Sequence, residues 1–360
     1  MTMTLAAAMV VSASGMAQVQ AIDTIAFGSC ARERQPQPVW TEIIAKDPDL
    51  FLFIGDNQYA DVFYENGQRV MKAIPNIERL HEAYDMLAAQ PGFRRMQRHA
   101  PIMATWDDHD YGENDAGKEF YLREESKQVF FDFYGFREND PRREQPGVYH
   151  SRMFGPAGQR VQVIMLDTRY NRDPLDRLPA DQRVVGPYMP TDDTSRTILG
   201  EEQWGWLEGE LKKDADVRII ASSIQVVSDE HGWETWGNMP HERQRLYDLI
   251  EDTDADGVVF ISGDRHLMEI SRDNGRGYDM PVPYPMWDFT SSGMTERART
   301  VNDPNSRRLG PVKRETNFGV LHIHWADEPA DTRIEMHGYG DQGQTLMMQT
   351  VFLGDLQDVD

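Results

Sequence analysis

Short apolar runs alternate with longer amphipathic stretches along the chain, and this alternation predicts the order of strands and helices. The apolar runs predict early strands at Ile25–Gly28, Leu50–Ile54, Ile102–Thr105, Val161–Leu166, Val217–Ala221 and Val258–Ile261. Later runs predict strands at Met286–Thr290, Phe318–Trp325, Arg333–Gly338 and Leu346–Leu353. The amphipathic stretches predict helices at Val39–Lys46, Ile77–Ala89, Lys118–Tyr134, Glu201–Lys213 and His241–Glu251. This succession is typical of a layered α/β protein, and two polar stretches, Asp173–Asp193 and Asp303–Glu315, are predicted to be long surface loops.

Each of the six early strands ends in a cluster of polar residues that could carry out chemistry. In chain order the clusters are Gly28-Ser29-Cys30, Gly55-Asp56-Asn57-Gln58-Tyr59, Trp106-Asp107-Asp108-His109-Asp110, Asp167-Thr168-Arg169, Ser222-Ser223-Ile224-Gln225 and Gly263-Asp264-Arg265-His266. Sites in α/β sheets form beyond the carboxyl ends of strands, because the loops of several strands converge there. The six clusters therefore predict one shared site.

Carboxylates and imidazoles dominate these clusters and indicate a metal centre. Asp107 and Asp108 precede His109, and packed like charges are costly unless a cation neutralises them. One aspartate can ligate a metal while His109 gives a proton to a leaving oxygen. Asp264 and His266 stand two residues apart, on one side of an extended chain, and such a pair suits a first-row metal.

Simpler interpretations remain open for some of these acids. Asp56 follows a glycine turn that can direct it, with Tyr59, toward the sheet edge, but an aspartate at that position could also cap the next segment. For the acids that follow His109, namely Asp110, Glu113 and Asp115, the alternative is a solvated acidic loop.

Substrate contacts are predicted from a second group of residues. Arg169 and Gln225 end apolar strands and could hold substrate oxygens, Arg169 as a bidentate fork. A structural ion pair is the alternative for Arg169. The aromatic segment Trp233–Trp236, beside Asn238, could form a substrate wall or could pack as a loop.

Composition and the N-terminus limit the class of protein. The chain has 37 basic and 60 acidic residues, a net charge of −23 at pH 7, which argues against general nucleic-acid binding. A small anionic substrate stays possible, because bound cations can reverse the local field. Residues 1–21 are predicted to be a signal peptide, and no later segment is apolar enough to span a bilayer. Cys30 is the sole cysteine, so it is either buried as a small apolar residue or held by a metal.

Taken together, the motifs resemble the PhoD-like branch of the metallophosphatase superfamily. The resemblance is carried by Phe27-Gly28-Ser29-Cys30, Gly55-Asp56-x-x-Tyr59, Trp106-Asp107-Asp108-His109-Asp110, Leu166-Asp167-Thr168-Arg169 and Ser262-Gly263-Asp264-x-His266. Two further stretches match, Pro240-x-Glu242-Arg243-x-Arg245-Leu246 and Leu199-Gly200-x-x-Gln203-x-x-Trp206-Leu207. The motifs occur in order from about Ile25 to Trp325.

The resemblance implies a fold and a set of site residues. It implies a four-layer α/β/β/α sandwich of the metallophosphatase type, as a single catalytic domain over residues 22–360, with iron(III) beside calcium or another divalent ion. The residues that would surround the iron are Cys30, Asp56, Tyr59, Asp264 and His266. Asp107 or Asp108, with Asn114, would complete the second metal site. His109 resembles the catalytic histidine, with Arg169 also predicted to be catalytic, and Gln225, Trp236 and Asn238 predicted to bind substrate.

The expected function is therefore that of an exported, periplasmic or secreted, metal-dependent phosphoesterase. It would hydrolyse small phosphodiesters and phosphomonoesters through a metal-bound hydroxide. The alternatives are a phospholipase-D-like or nucleotide phosphodiesterase with the same centre, or a catalytically silent protein that binds metal or phosphate. An acidic interaction module without metal would leave the clusters of Cys30, Tyr59 and Asp264 unexplained.

Overall fold

A computed structural model describes residues 21–183, 185–275, 281–298 and 303–357, so the predicted signal peptide lies, apart from residue 21, outside the described residues. The described part forms seventeen strands and seven α-helices. The first strands are β1 (Thr24–Gly28), β2 (Leu50–Ile54), β3 (Val62–Glu65), β4 (Gln68–Met71), β5 (Ile102–Thr105), β6 (His150–Phe154), β7 (Val161–Met165), β8 (Asp176–Arg177) and β9 (Tyr188–Met189). The later strands are β10 (Val217–Ser222), β11 (Val258–Ser262), β12 (Met268–Asp273), β13 (Met286–Ser291), β14 (Arg308–Lys313), β15 (Asn317–His324), β16 (Arg333–Gly340) and β17 (Thr345–Phe352). The helices are α1 (Val39–Ala45), α2 (Glu78–Ala89), α3 (Pro91–His99), α4 (Asp108–Tyr111), α5 (Arg123–Phe133), α6 (Gly200–Leu211) and α7 (Pro240–Asp252).

The strands form two large mixed sheets. The first has the order β17-β16-β15-β1-β2-β5, and the second has the order β14-β12-β13-β11-β10-β7-β6. In the first sheet β1, β2 and β5 run parallel, and in the second β7, β10, β11 and β13 do so. Strand β2 is apolar throughout and β11 is apolar up to its last residue, because both faces of these central parallel strands are buried.

The two sheets pack face to face between layers of helices. Phe27 of β1 meets Phe289 of β13 edge to face, with ring centroids 5.1 Å apart. On the outer face of the first sheet, Trp40 of α1 packs against Phe51 of β2 at 5.0 Å. Helices α6 and α7 bury residues such as Trp204 in the core of the second sheet. The predicted α/β/β/α sandwich is thus confirmed.

The sequence pattern missed several strands. The predicted loop Asp303–Glu315 is wrong in part, since it contains β14 at the edge of the second sheet. This strand carries Pro311, which an edge strand tolerates, and it lacks the apolar alternation that would have predicted it. Strands β6 and β12 and the hairpin β3–β4 were likewise not predicted, and the other predicted loop contains the two short strands β8 and β9.

The parallel arrangement directs the carboxyl ends of six strands toward one region. Strands β1, β2 and β5 of the first sheet, and β7, β10 and β11 of the second, are the strands that the polar clusters follow. Contacts between clusters of the two sheets, such as the one from Ser223 to Asp107, show that both sheet edges build the same site. Among the described residues, no helix is long and apolar enough to cross a membrane.

Candidate metal centre

Sharp turns at the strand ends bring the site residues together. Cys30, Asp56, Asp264 and His266 have positive φ angles of 60°, 50°, 65° and 56°, a conformation that is uncommon outside glycine and that clusters at functional sites. Gly55, with φ 108°, has no room for a side chain, because a Cβ atom there would lie 2.7 Å from the Cβ of Asp107. These uncommon backbone conformations therefore direct the side chains toward one region.

One half of the centre combines a thiol, a phenol, a carboxylate and an imidazole. The thiol of Cys30 donates to Asp56 Oδ2 at 3.3 Å, and the hydroxyl of Tyr59 donates to the same oxygen at 3.2 Å. The Tyr59 hydroxyl also lies 3.3 Å from Nε2 of His266. Cys30 and Tyr59 are buried. The contacts therefore bring four different groups that can ligate a metal close together inside the protein.

The other half of the centre consists mainly of carboxylates. Potential ligand atoms lie within 4.8 Å of one another in each of four described groups: Cys30, Asp56 and His266; Asp56, Asp108 and His109; Asp107, Asp108 and Asp264; and Asp108, Asp115 and Glu234. Asp56 belongs to the first two groups and Asp108 to the last three. The shared members make the groups one continuous cluster.

The buried carboxylates of the cluster need positive charge nearby to be stable in their ionised form. Burial raises the pKa of Asp56 and of Asp264, with neighbouring carboxylates adding to the rise for both. Burial also raises the pKa of Asp107 to about 6, although Arg169 opposes the rise. The Oδ2 atoms of Asp107 and Asp264 are buried without a hydrogen-bond partner. Partnerless oxygens within a crowd of buried acids fit the coordination of metal ions, which supply the missing positive charge.

His109 is held in a fixed orientation inside the cluster. Its Nδ1 atom lies 2.7 Å from Oδ1 of Asp61, and its ring lies on that of Tyr59 with centroids 4.1 Å apart. Burial lowers the pKa of His109, but the nearby carboxylates, Asp108 first and then Asp61, raise it well above its usual value. The imidazole therefore favours the protonated form, as a proton donor needs.

Arg169 is engaged entirely within the protein. Its Nε donates to Asp107 Oδ1 at 2.6 Å, and its two terminal nitrogens donate to the carboxylate of Glu234 at 2.9 and 2.6 Å. A second arginine, Arg172, lies 2.7 Å from the same glutamate. Arg169 and Glu234 are buried, so the structure places Arg169 in the structural ion pair that was the alternative to a substrate contact.

The structure does not bring the three predicted substrate-binding residues into the carboxylate cluster. Gln225 donates to Glu269 and Thr290 at 2.7 and 2.8 Å. Trp236 is fully buried in the hydrophobic core. Asn238 accepts the backbone N–H of Thr235 and so caps a short turn. These contacts give all three residues a packing or turn-forming role.

The segment after His109 differs from the solvated loop considered above. Asp110 is buried and accepts the backbone N–H groups of Asp107 and Asn57 at 2.5 and 3.1 Å, so that alternative is wrong for Asp110. The N–H of Asp115 donates to Asp108 Oδ2 at 2.8 Å. Asn114, a predicted ligand, lies in the same turn, half-buried beside Asp115.

Asp61 and Glu234 were not singled out in the sequence analysis, and Ser223 was named only as a member of its strand-end cluster. Asp61 orients His109, Glu234 neutralises Arg169, and Ser223 donates to Asp107 at 2.6 Å. For Asp61, the signal was its position two residues after Tyr59 in the same turn. For Glu234, the signal was that an acidic residue stands between aromatic residues that were expected to pack. A charge that is buried among packed aromatic residues needs a partner.

Comparisons with known proteins point to a phosphatase family. The profile of the family described as PhoD-like phosphatase matches residues 25–328. Alkaline phosphatase D of Bacillus subtilis (strain 168) is 25% identical over 279 residues, which cover 68% of this chain and 46% of that protein. The chain thus spans about half the length of this curated relative.

Solved structures share the fold. A structure of PhoD superposes with a TM-score of 0.69 at 18% identity, covering 95% of this chain and 74% of the other. A purple acid phosphatase from yellow lupin (Lupinus luteus) seeds gives a TM-score of 0.60 at 14% identity, over 93% of this chain and 54% of the other. At these identities the likeness concerns the fold alone, and it agrees with the four-layer sandwich.

Proposed function

The chain belongs to the PhoD-like phosphatase family, and on that premise we propose that it hydrolyses phosphodiesters and phosphomonoesters at the cluster around Asp56. The observation that carries the proposal is the position of Asp56. Its carboxylate is shared between a group that contains Cys30 and His266 and a group that contains Asp108 and His109. A carboxylate that belongs to two ligand groups could serve as a ligand in either of them, and metal ions held there would supply the chemistry of a phosphoesterase.

Metal cofactors are implied by the ligand groups and by the metallophosphatase-type relatives. We propose that Cys30, Asp56, Tyr59, Asp264 and His266 would hold iron(III). Asp107 or Asp108, with Asn114, would hold calcium or another divalent ion. The buried thiol and phenol support a trivalent ion at the first position, since their anionic forms need strong charge compensation, and oxygen ligands suit calcium at the second. When bound, the ions supply Lewis acidity toward the phosphate and lower the pKa of water.

The protein's own groups would then provide orientation and proton transfer. His109, held by Asp61 at 2.7 Å, would donate a proton to the departing alcohol oxygen. Arg169 would keep Asp107 in place and would not contact the substrate, since its donors are already directed at Asp107 and Glu234. Burial of the ion pair would strengthen these interactions by excluding water.

We also propose that the protein is exported to the periplasm or secreted, and that residues 22–360 form one catalytic domain. The support is the apolar run Leu5–Val11 with the small residues that follow it. The family match over residues 25–328 supports a single domain. N-terminal sequencing of protein recovered outside the cytoplasm tests the export, and cleavage near residue 21 is expected.

The decisive experiment measures hydrolysis of bis-(p-nitrophenyl) phosphate and p-nitrophenyl phosphate before and after strong chelation, with iron and calcium quantified in the same sample. The test variant is Asp264→Asn, and the control is Asp254→Asn, at an exposed aspartate in the turn that follows α7. Both positions have positive φ, 65° and 50°, which asparagine tolerates, so the variants differ mainly in their place in the structure.

Chelator-sensitive turnover that Asp264→Asn abolishes and Asp254→Asn retains would support the proposal. The ratio of the two rates would separate diesterase from monoesterase activity. Full activity of Asp264→Asn would contradict the proposed centre. Metal binding without turnover of any phosphate ester would instead favour the silent metal- or phosphate-binding alternative.

A further inference from the structure

One tryptophan beside the centre is partly exposed to solvent. Trp233 is 37% exposed, whereas Trp236, three residues later, is 0% exposed and Trp287 is 5% exposed. Only Trp233 of these three therefore offers an aromatic surface that a ligand can reach.

A single guanidinium connects Trp233 to the metal centre. Arg265 stands between the predicted ligands Asp264 and His266 in the sequence. Its Cζ atom lies 5.1 Å from the centroid of the Trp233 ring. One of its terminal nitrogens lies 3.9 Å from Asp264 Oδ2. The indole is thus separated from a carboxylate of the centre by the width of one arginine head group.

Both Trp233 and Arg265 are anchored. Arg265 donates to Oδ2 of Asp303 at 2.7 Å. The backbone N–H of Trp233 donates to Nδ1 of His231 at 3.0 Å, and the next residue, Glu234, is fixed by the two buried arginines. An aromatic surface that is already ordered loses little conformational freedom when a ligand arrives.

From these contacts we propose that Trp233 forms a subsite for a planar aromatic substituent of the substrate. This proposal rests on the proposed phosphoesterase function. The phosphoryl group would lie at the carboxylate cluster, and a nucleobase or aryl ring attached to it would stack on the indole. Arg265 would hold the indole by its cation–π contact. Stacking of a base on an aromatic side chain contributes about tenfold to binding, as judged from alanine substitutions.

The test compares two ligands that differ only in the ring. Phenylphosphonate and methylphosphonate are titrated calorimetrically into metal-loaded protein. The natural protein should bind phenylphosphonate about tenfold more tightly. Trp233→Ala should lose this preference with methylphosphonate binding unchanged, and Trp233→Phe should keep most of it. The matched control is Trp206→Ala on α6, where the half-buried indole packs on Tyr149 at 4.8 Å, and it should keep the full preference.

A second pair of ligands identifies the aromatic group. The kcat/KM values for adenosine 5′-monophosphate and ribose 5-phosphate are compared in the same variants. A Trp233-dependent preference in this pair indicates a nucleobase, and a preference confined to the phosphonates indicates a simple aryl ring.

The failures can be told apart. If methylphosphonate binds but phenylphosphonate binds no better, or if the preference survives in Trp233→Ala, the subsite is refuted and the phosphoesterase proposal stands. If metal-loaded protein neither binds a phosphonate nor hydrolyses an ester, the proposed function fails and the subsite fails with it.

Discussion

The carboxylate of Asp61 lies 2.7 Å from Nδ1 of His109, and both side chains are buried. Asp61 is not a member of any described group of potential metal ligands. The contact therefore orients and charges the imidazole rather than serving the metals.

Replacement of Asp61 by asparagine should reduce kcat by about 10- to 100-fold, as is typical when an outer-shell partner of a functional histidine is lost. The amide keeps the shape but removes the negative charge that supports the protonated ring. Metal content should not change, because Asp61 is not a ligand. Steady-state kinetics with metal analysis on the same sample check this, and loss of metal in Asp61→Asn would show that Asp61 belongs to the coordination sphere instead.

Arg169→Met should lower the free energy of unfolding by about 3–5 kcal/mol, because it removes the buried cation that pairs with Asp107 and one of the two arginines that pair with Glu234. Urea denaturation monitored by fluorescence measures the change. The matched control is Arg245→Met, which breaks a pair of similar geometry with Glu201, at 2.7 and 2.9 Å.

The control pair differs in exposure, since the side chains of Arg245 and Glu201 are 41% and 81% exposed and those of Arg169 and Glu234 are 0% and 2% exposed. An exposed pair contributes about 0–1 kcal/mol. Equal losses in the two variants would contradict the structural role assigned to Arg169. A second substitution, Glu234→Gln, should restore part of the stability of Arg169→Met.

The contrast between Trp233 and Trp236 shows where prediction from the sequence ends. The carboxyl-end clusters at Asp56 and Asp264 were predictable, since apolar strands followed by polar turns determine which residues reach a sheet edge. Whether an indole in the segment 233–236 is exposed or buried depends on the core that α6 builds against it, and the local pattern does not contain that information.

The partners of buried charged residues were also not predictable from the local sequence. Asp61 is 48 residues from His109 and Glu234 is 65 residues from Arg169, so no local spacing connects the partners. Edge strand β14 was missed for a related reason, because an edge strand paired on one side needs neither apolar alternation nor the exclusion of proline.

His150 at the start of β6 should make the protein sensitive to mild acid. Burial lowers its pKa from 6.5 to about 4, although a contact with the carbonyl of Val148 at 3.0 Å partly opposes the shift. The neutral ring thus contributes stability that is present above pH 6.5 and is lost as the pH falls through about 4. The shift corresponds to about 3 kcal/mol at low pH. In His150→Gln, the unfolding free energy measured between pH 7 and pH 4 should fall by less than in the natural protein. Parallel pH profiles for the two proteins would contradict the assignment.

Removal of metal should destabilise the natural protein and affect Asp264→Asn much less. In the natural protein, bound ions neutralise the buried carboxylates, and binding to the folded state alone stabilises it by about 2.7 kcal/mol at a hundredfold excess over the dissociation constant. After chelation, the carboxyl of Asp264 has a raised pKa because of its burial and the neighbouring Asp107. It therefore resembles the neutral amide of asparagine, so the two chelated proteins should have similar melting temperatures. Differential scanning calorimetry with and without chelator measures both effects. If the chelator lowers the melting temperature of Asp264→Asn as much as that of the natural protein, the stabilising ion is held elsewhere. If it lowers the melting temperature only when Asp264 is intact, the stability of the fold depends on the same carboxylate that the chemistry requires.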